Sequence, residues 1–262
     1  MTRTPYPFEL HDQKIIDFDI DEYENYLALT EQNIVFTPYT QLKIPQSFKY
    51  PFIRRINASS FLIASCRSAS TVDNAFIYND QGEVVYSFYI GDAVEDILIH
   101  NNKIVVSYFD EGVFGKDGPN NEGLCVFNLE GQKIFGYNSD YQDEMITDCY
   151  AICHDKNQSI LFYPYPEFQL YELNLDTLQY QKITTPETLT GTYSISSTQH
   201  TIVFHSPYAH KTQFFEWDRN DNSITLLMMD DRRFKALRNG YFYTFDQTGY
   251  EIIYPSSTIN GS

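Results

Sequence analysis

Basic residues are scarce in this chain. Eighteen Lys and Arg stand against 35 Asp and Glu, a formal net charge of −17. Phosphate backbones are held by basic side chains, so this balance excludes nucleic acid as a partner. Cysteine is also sparse: four in 262 residues make no disulfide framework. Cys149 and Cys153 lie four residues apart in a strand-like stretch, roughly 13 Å if extended, too far to bridge. All four thiols are therefore expected to be reduced, which places the protein in the cytoplasm. No apolar run approaches the roughly 18 residues of a membrane span, so no membrane partner is expected. The stretch MTRTPYPFELHDQK has no apolar core of a secretory signal. Missing too are a Gly-x-Ser-x-Gly elbow, a phosphate-binding loop, a His-Glu-x-x-His helix and a dinucleotide fingerprint. No cofactor is expected, and the common enzyme classes are disfavoured.

What the chain has is aromatic and β-rich. Tyr (22) and Phe (20) dominate the aromatics, and such residues suit pleated, half-buried surfaces. Ile16, Phe18 and Ile20 alternate with Asp17, Asp19 and Asp21, a strand pattern. Parity then puts the three aspartates along one exposed face. The clearest unit follows Asp96: strand-like segments at Ile97–His100, Ile104–Phe109, Leu124–Asn128 and Gln132–Tyr137. The Asn101-Asn102 pair joins the first two segments, and Leu129-Glu130-Gly131 joins the last two. Asn and Gly accept the positive φ of tight hairpins. Turns preceding each unit's last strand recur about every 42 to 49 residues, the spacing of four-stranded propeller blades. The expected fold is all-β: one β-propeller domain over residues 1–262, with six four-stranded blades. The sixth unit shows only three segments, Phe234–Arg238, Tyr241–Asp246 and Tyr250–Tyr254. Tyr6–Leu10 is expected to add its missing outer strand and close the ring, since an open ring would leave sheet edges exposed. A β-sandwich is the structural rival.

This plan resembles the broad WD-repeat-like and YVTN-like propeller group, across most of the chain but in architecture alone. No unit carries a Gly-His…Trp-Asp signature. The stretch Ser107-Tyr108-Phe109-Asp110-Glu111-Gly112-Val113-Phe114-Gly115 resembles a segment of uncharacterised bacterial propeller-like proteins.

In such a fold the loops between blades share a face with those joining strands two and three. That face gathers Asp92, Glu95, Asp96, Asp140, Asp143, Glu144 and Asp148 from the former, and Asp110, Glu111, Asp117 and Glu122 from the latter. Residues 134–155 contain no Lys or Arg. The longest loop, Asp110 to Gly123, carries Val113 and Phe114 at an apolar tip flanked by glycines; long loops in compact domains are often functional. These thirteen residues are the expected partner-binding surface. The expected function is a non-enzymatic interaction propeller whose acidic face binds a basic protein. An inhibitor or immunity protein against a cationic toxin, such as a nuclease, would fit.

Two alternatives stay open: a metal-dependent propeller hydrolase or lactonase, and a small-ligand or sugar-binding sensor suggested by the abundance of Tyr. No metal site is expected from local motifs. Asp17-x-Asp19-x-Asp21 resembles the start of an EF-hand loop, but Glu22 and Ala28 stand where Gly and Glu are required. His200 and His205 have opposite strand parity, so no zinc cluster forms with His210.

Overall fold

The computed structural model describes residues 2–8, 13–21, 25–69, 71–141, 144–156, 158–198 and 200–255. The chain is all-β, built from six four-stranded antiparallel sheets, the blades of a six-bladed β-propeller. Sheet one holds β2 (Ile15–Ile20), β3 (Tyr26–Thr30), β4 (Ile34–Phe36) and β5 (Gln41–Lys43). The outermost strand in the chain's sixth sheet, β1 (Thr2–Pro7), comes from the N-terminus. Sheet two is β6 (Pro51–Asn57), β7 (Ser60–Ser65), β8 (Ala75–Asn79) and β9 (Val84–Phe88). Sheet three is β10 (Val94–His100), β11 (Lys103–Tyr108), β12 (Leu124–Asn128) and β13 (Lys133–Gly136), with helical turns α1 (Asp110–Val113) and α2 (Tyr137–Asp140). Sheet four is β14 (Asp148–His154), β15 (Ser159–Tyr165), β16 (Leu170–Asn174) and β17 (Tyr180–Ile183). Sheet five is β18 (Ser194–Ser197), β19 (Thr201–His205), β20 (Gln213–Asp218) and β21 (Ile224–Met229). Sheet six is β22 (Lys235–Ala236), β23 (Phe242–Phe245) and β24 (Gly249–Tyr254), completed by β1.

The chain forms two compact units, residues 9–149 and residues 1–8 with 150–262. In the first, sheets one and two bury Leu27, Leu29, Val35, Ile53, Ile63 and Tyr78 between them. Sheets two and three bury Leu62, Ile77, Ile97, Val106, Tyr108 and Phe127. In the second, sheets four and five enclose Leu161, Tyr163, Phe204 and Trp217, and sheets five and six enclose Phe214, Phe234, Phe242 and Ile253. Sheets two and five thus carry apolar packing on both faces, and β11, a nearly unbroken apolar run, buries Ile104, Val105 and Val106 in succession.

Local chemistry sets the hairpins. Asn101 and Asn102 both have positive φ, 49° and 58°, as the two-residue turn between β10 and β11 requires. The N-terminal strand pairs from Thr2 rather than Tyr6: Thr4 lies opposite Ile252 and Tyr6 opposite Tyr250. The Tyr6 ring stacks on Tyr250 at 4.6 Å, which fixes the register. Pro5 and Pro7 are tolerated because β1 is an edge strand, where two missing donors also deter further strand addition. The expected continuation through Glu9 and Leu10 lies outside the described residues. None of the four cysteines is disulfide-bonded; Cys125, Cys149 and Cys153 are buried.

Asp17 and Asp19 of β2, and Asp21 just after it, do not line an exposed face. Asp17 and Asp19 point at the first strand of the next sheet. Asp17 accepts the Ile53 backbone N–H at 2.8 Å, and Asp19 that of Arg55 at 2.6 Å. Arg54 sits beside them, its guanidinium 2.9 Å from Asp17 and 2.5 Å from Asp96, with Nε donating to the Ile97 carbonyl at 2.7 Å. Parity misplaced these acids because a first strand is flanked by other first strands, not by water.

His205 ends β19 in an aromatic pocket, 4.2 Å from the Phe214 ring and edge-on to Phe234. Its Nε2 is buried with no hydrogen-bond partner. Burial pushes its pKa down to about 4, against the opposing pull of the Asp230 backbone and charge. Between pH 6.5 and 4 the unfolded chain takes up a proton that the native state refuses, so stability falls as pH falls through that window. The loss expected from this group is about 3 kcal/mol. Urea unfolding of His205→Phe should show a smaller drop between pH 7 and pH 4.5 than the parent protein shows.

Candidate active site

The site is built around the segment after β11. Rather than an open loop, residues 110–123 form two short turns, α1 and a 3-10 turn at Pro119–Glu122. Buried Asn120 is the hub. Its Nδ2 donates to the carbonyls of Gly112 at 2.7 Å and Lys116 at 2.9 Å, while its Oδ1 accepts the Asp92 N–H. Gly112 is required by close approach: a Cβ there would stand 2.7 Å from the Asp92 carbonyl and 2.9 Å from the Ala93 Cβ. The segment is thereby pinned to the connection between β9 and β10. This holds Asp110 and Glu111 in place at the surface.

Arg67, from the segment after β7, joins the acids together. It lies 3.2 Å from Asp92 and 2.5 Å from Glu111. The hydrogen bond it donates to Glu111, together with the charges of Asp92 and Glu111, raises its pKa against the opposing effect of burial. Asp92 also accepts the Ser68 N–H at 2.7 Å.

The chemically distinctive residue is Asp148, at the start of β14. It is half-buried. Its pKa is pushed up to about 7, first by burial and then by the negative charge of Asp110. A carboxyl that titrates near neutrality beside a second carboxyl can give or take a proton at working pH.

Glu122 has a different role. It is buried, and its carboxylate accepts from Lys133 and from the backbone and hydroxyl of Ser139, at 2.8 Å and 2.7 Å. Burial pushes its pKa up, yet the bonds from Lys133 and Ser139 outweigh this and hold it below the usual carboxylate range. Gly136 leaves the room: a Cβ there would overlap the Glu122 carboxylate. Gly136→Ala should dislodge Glu122 from Ser139 and cost about 1–3 kcal/mol, read as a lower urea midpoint with an unchanged slope.

The structure places the remaining expected residues as follows. Asp96 is held by Arg54. Glu95 and Glu144 are half-buried, and Asp117 and Asp140 are exposed; Asp140 accepts the Gly136 N–H at 3.2 Å. Val113 is buried, whereas Phe114 is 67% exposed. Asp143 lies outside the described residues. The fold therefore brings Asp92 and Glu111 together on Arg67, sets Asp148 within the field of Asp110, and diverts Asp96 and Glu122 into structural pairs. Sequence reading missed Arg67. Its one available signal was that a cation among so many acids must find partners. Among the described residues no group of three or more His, Cys, Asp or Glu could hold a metal ion, so the metal-dependent alternative finds no ligand set there.

No protein-family model matches the chain, and no curated protein matches it. Solved structures do. Selenomethionine-substituted virginiamycin B lyase from Staphylococcus aureus superposes with a TM-score of 0.60 at 8% identity, over 94% of this chain and 82% of that one. A catalytically inactive histidine-to-alanine variant of that lyase with quinupristin gives 0.53 at 8% identity, over 96% and 99%. Hsv2 from Kluyveromyces lactis gives 0.58 at 12% identity, over 90% and 71%. At these identities the likeness establishes the β-propeller fold.

The expectation of a non-enzymatic propeller neutralising a basic partner is corrected by these findings. The fold is shared over nearly the whole chain with propeller lyases, so it does not by itself mark a non-enzymatic protein. The acid face is also less available than its charge implied. Asp92, Asp96, Glu111 and Glu122 are already engaged by the chain's own Arg67, Arg54 and Lys133.

Proposed function

We propose that this protein is a propeller enzyme whose acid–base centre is the Asp148–Asp110 pair, in a chain we assign to the broad WD-repeat-like and YVTN-like propeller group. The observation that carries the reading is the Asp148 carboxyl, raised to about 7 by burial and by Asp110. Perturbed groups of this kind concentrate at reactive sites. A pair that holds one proton near neutrality supplies both halves of an elimination: a base to take a proton from carbon, and an acid to protonate the departing oxygen. The same pair serves a hydrolysis, by activating water and then protonating the leaving group. The likeness to virginiamycin B lyase supports elimination as the first reading.

The test is incubation with virginiamycin B, quinupristin and a panel of chromogenic esters and lactones, followed by mass spectrometry. Elimination opens a lactone to an isomer of unchanged mass bearing a new carbon–carbon double bond and splits an open-chain ester into an alkene and an acid; hydrolysis adds one water. Turnover with an apparent pKa near 7 is expected. Carboxyl NMR that finds Asp148 titrating near pH 4 would remove the proposal whatever the substrate.

A further inference from the structure

The 150–262 unit carries a second surface that the carboxylate pair does not use. Five aromatic side chains meet there from four separate segments: Tyr150 on β14, Tyr165 and Phe168 around the end of β15, Tyr193 before β18, and Tyr208 after β19. Phe168 is the centre, 8% exposed. It meets Tyr150 edge-on at 5.3 Å, Tyr165 at 5.5 Å and Tyr208 at 5.6 Å. Tyr193 stacks on Tyr150 at 5.9 Å with the planes 16° apart. The Tyr150 and Tyr208 hydroxyls hydrogen-bond to each other.

Two backbone features show that the chain is shaped to make this cluster. Phe168 has φ 50°, a region that bulky residues avoid unless their surroundings enforce it. Gly191 has φ +74°, and a Cβ there would overlap the Tyr208 ring. Both positions accept conformations that a generic surface loop has no reason to adopt.

The outer members are then left in water. Tyr193 is 59% exposed, and Tyr165 and Tyr208 are nearly half exposed. Grouped aromatic exposure of this kind marks a binding surface. Its chemistry narrows the ligand. Every exposed member is tyrosine and the buried one is phenylalanine, so the surface offers flat apolar faces rimmed by hydroxyls. An anion finds no cation within the cluster, on a chain of net charge −17. A purely apolar partner leaves the phenols unmatched. A pyranose ring matches both parts: its axial C–H face lies on an aromatic plane, and its equatorial hydroxyls meet the phenols at the edge.

We propose that this surface is a carbohydrate-binding subsite, with a neutral pyranose ring stacked on the outer face of Tyr193 and sugar hydroxyls bonded to Tyr208 and Tyr165. The proposal does not depend on the acid–base reading. It is tested by saturation-transfer NMR of the full chain with neutral oligosaccharides of gluco, galacto, manno and N-acetylhexosamine type, with phenol and phosphocholine as comparison probes. At least one oligosaccharide should receive saturation. Tyr193→Ala should weaken its binding about tenfold with unchanged circular dichroism, and Asp148→Asn should leave it unchanged. The absence of transfer to every oligosaccharide overturns the proposal. So does equal binding by Tyr193→Ala, or binding of phenol or phosphocholine in their place.

Discussion

Replacing Arg54 with leucine should lower the free energy of unfolding by about 3–5 kcal/mol, the range seen when one partner of a buried ion pair is removed. The side chains of Arg54 and Asp17 are 7% and 5% exposed. Without the guanidinium, Asp17 keeps only part of what compensates its charge, and the Ile97 carbonyl loses the Nε donor. Asp96 loses its partner as well, but it is more exposed and recovers water. Denaturant unfolding checks the size of the effect. The double variant Arg54→Leu with Asp17→Leu separates the cause. If the stranded charge dominates, the second substitution restores much of the loss, because apolar replacement of a whole buried pair is often near neutral. If the double variant is weaker than the single one, the carboxylate's bond to the Ile53 N–H matters more than its charge.

Asp148→Asn should reduce turnover by about 10²–10⁴-fold, the contribution typical of a positioned acid or base. Asn keeps the shape and cannot exchange the proton. Asp110→Asn should act differently. It removes a negative charge that raises the Asp148 pKa, so the apparent pKa of the pH–rate profile should move down while burial still holds it above the ordinary aspartate value. Stability gives a readout independent of any substrate. The native state holds the Asp148 proton up to about pH 7, whereas the unfolded chain releases it near the ordinary value of 3.8. Stability therefore falls as pH rises through that window. Since the group is only half-buried, solvent screening reduces the effect to about 1–2 kcal/mol. Urea unfolding of Asp148→Asn should match the parent near pH 4 and exceed it at pH 8. Equal stability at both pH values would mean that the carboxyl is not perturbed.

Some of this was legible along the chain, and the reasons are local. The Asn101-Asn102 turn and the Gly131 turn, whose φ is 81°, were readable because positive φ selects a few residue types. The blade repeat was readable because four strands and their turns occupy a nearly fixed length. The missing sixth-sheet strand was readable by counting, although its register was not: that waited on the Tyr6–Tyr250 stack. The acids were a harder case. Asp92, Asp110, Glu111 and Asp148 were named from loop positions, and Asp96 and Glu122 with equal reason. Nothing in their spacing distinguishes an acid that meets Arg54 or Lys133 from one that meets another carboxyl. The tyrosines were countable, but their convergence was not, since Tyr150 and Tyr208 are 58 residues apart.

Composition and period by themselves determined the strand order, the blade count and the sign of the surface. These follow from properties each residue carries with it: its favoured φ, its polarity at alternating positions and its charge. Which carboxyl holds a proton near neutrality, which is neutralised, and which rings stack were decided only when the sheets packed. Desolvation and Coulomb energy depend on distances between groups remote in the chain, and those distances exist only in the folded state.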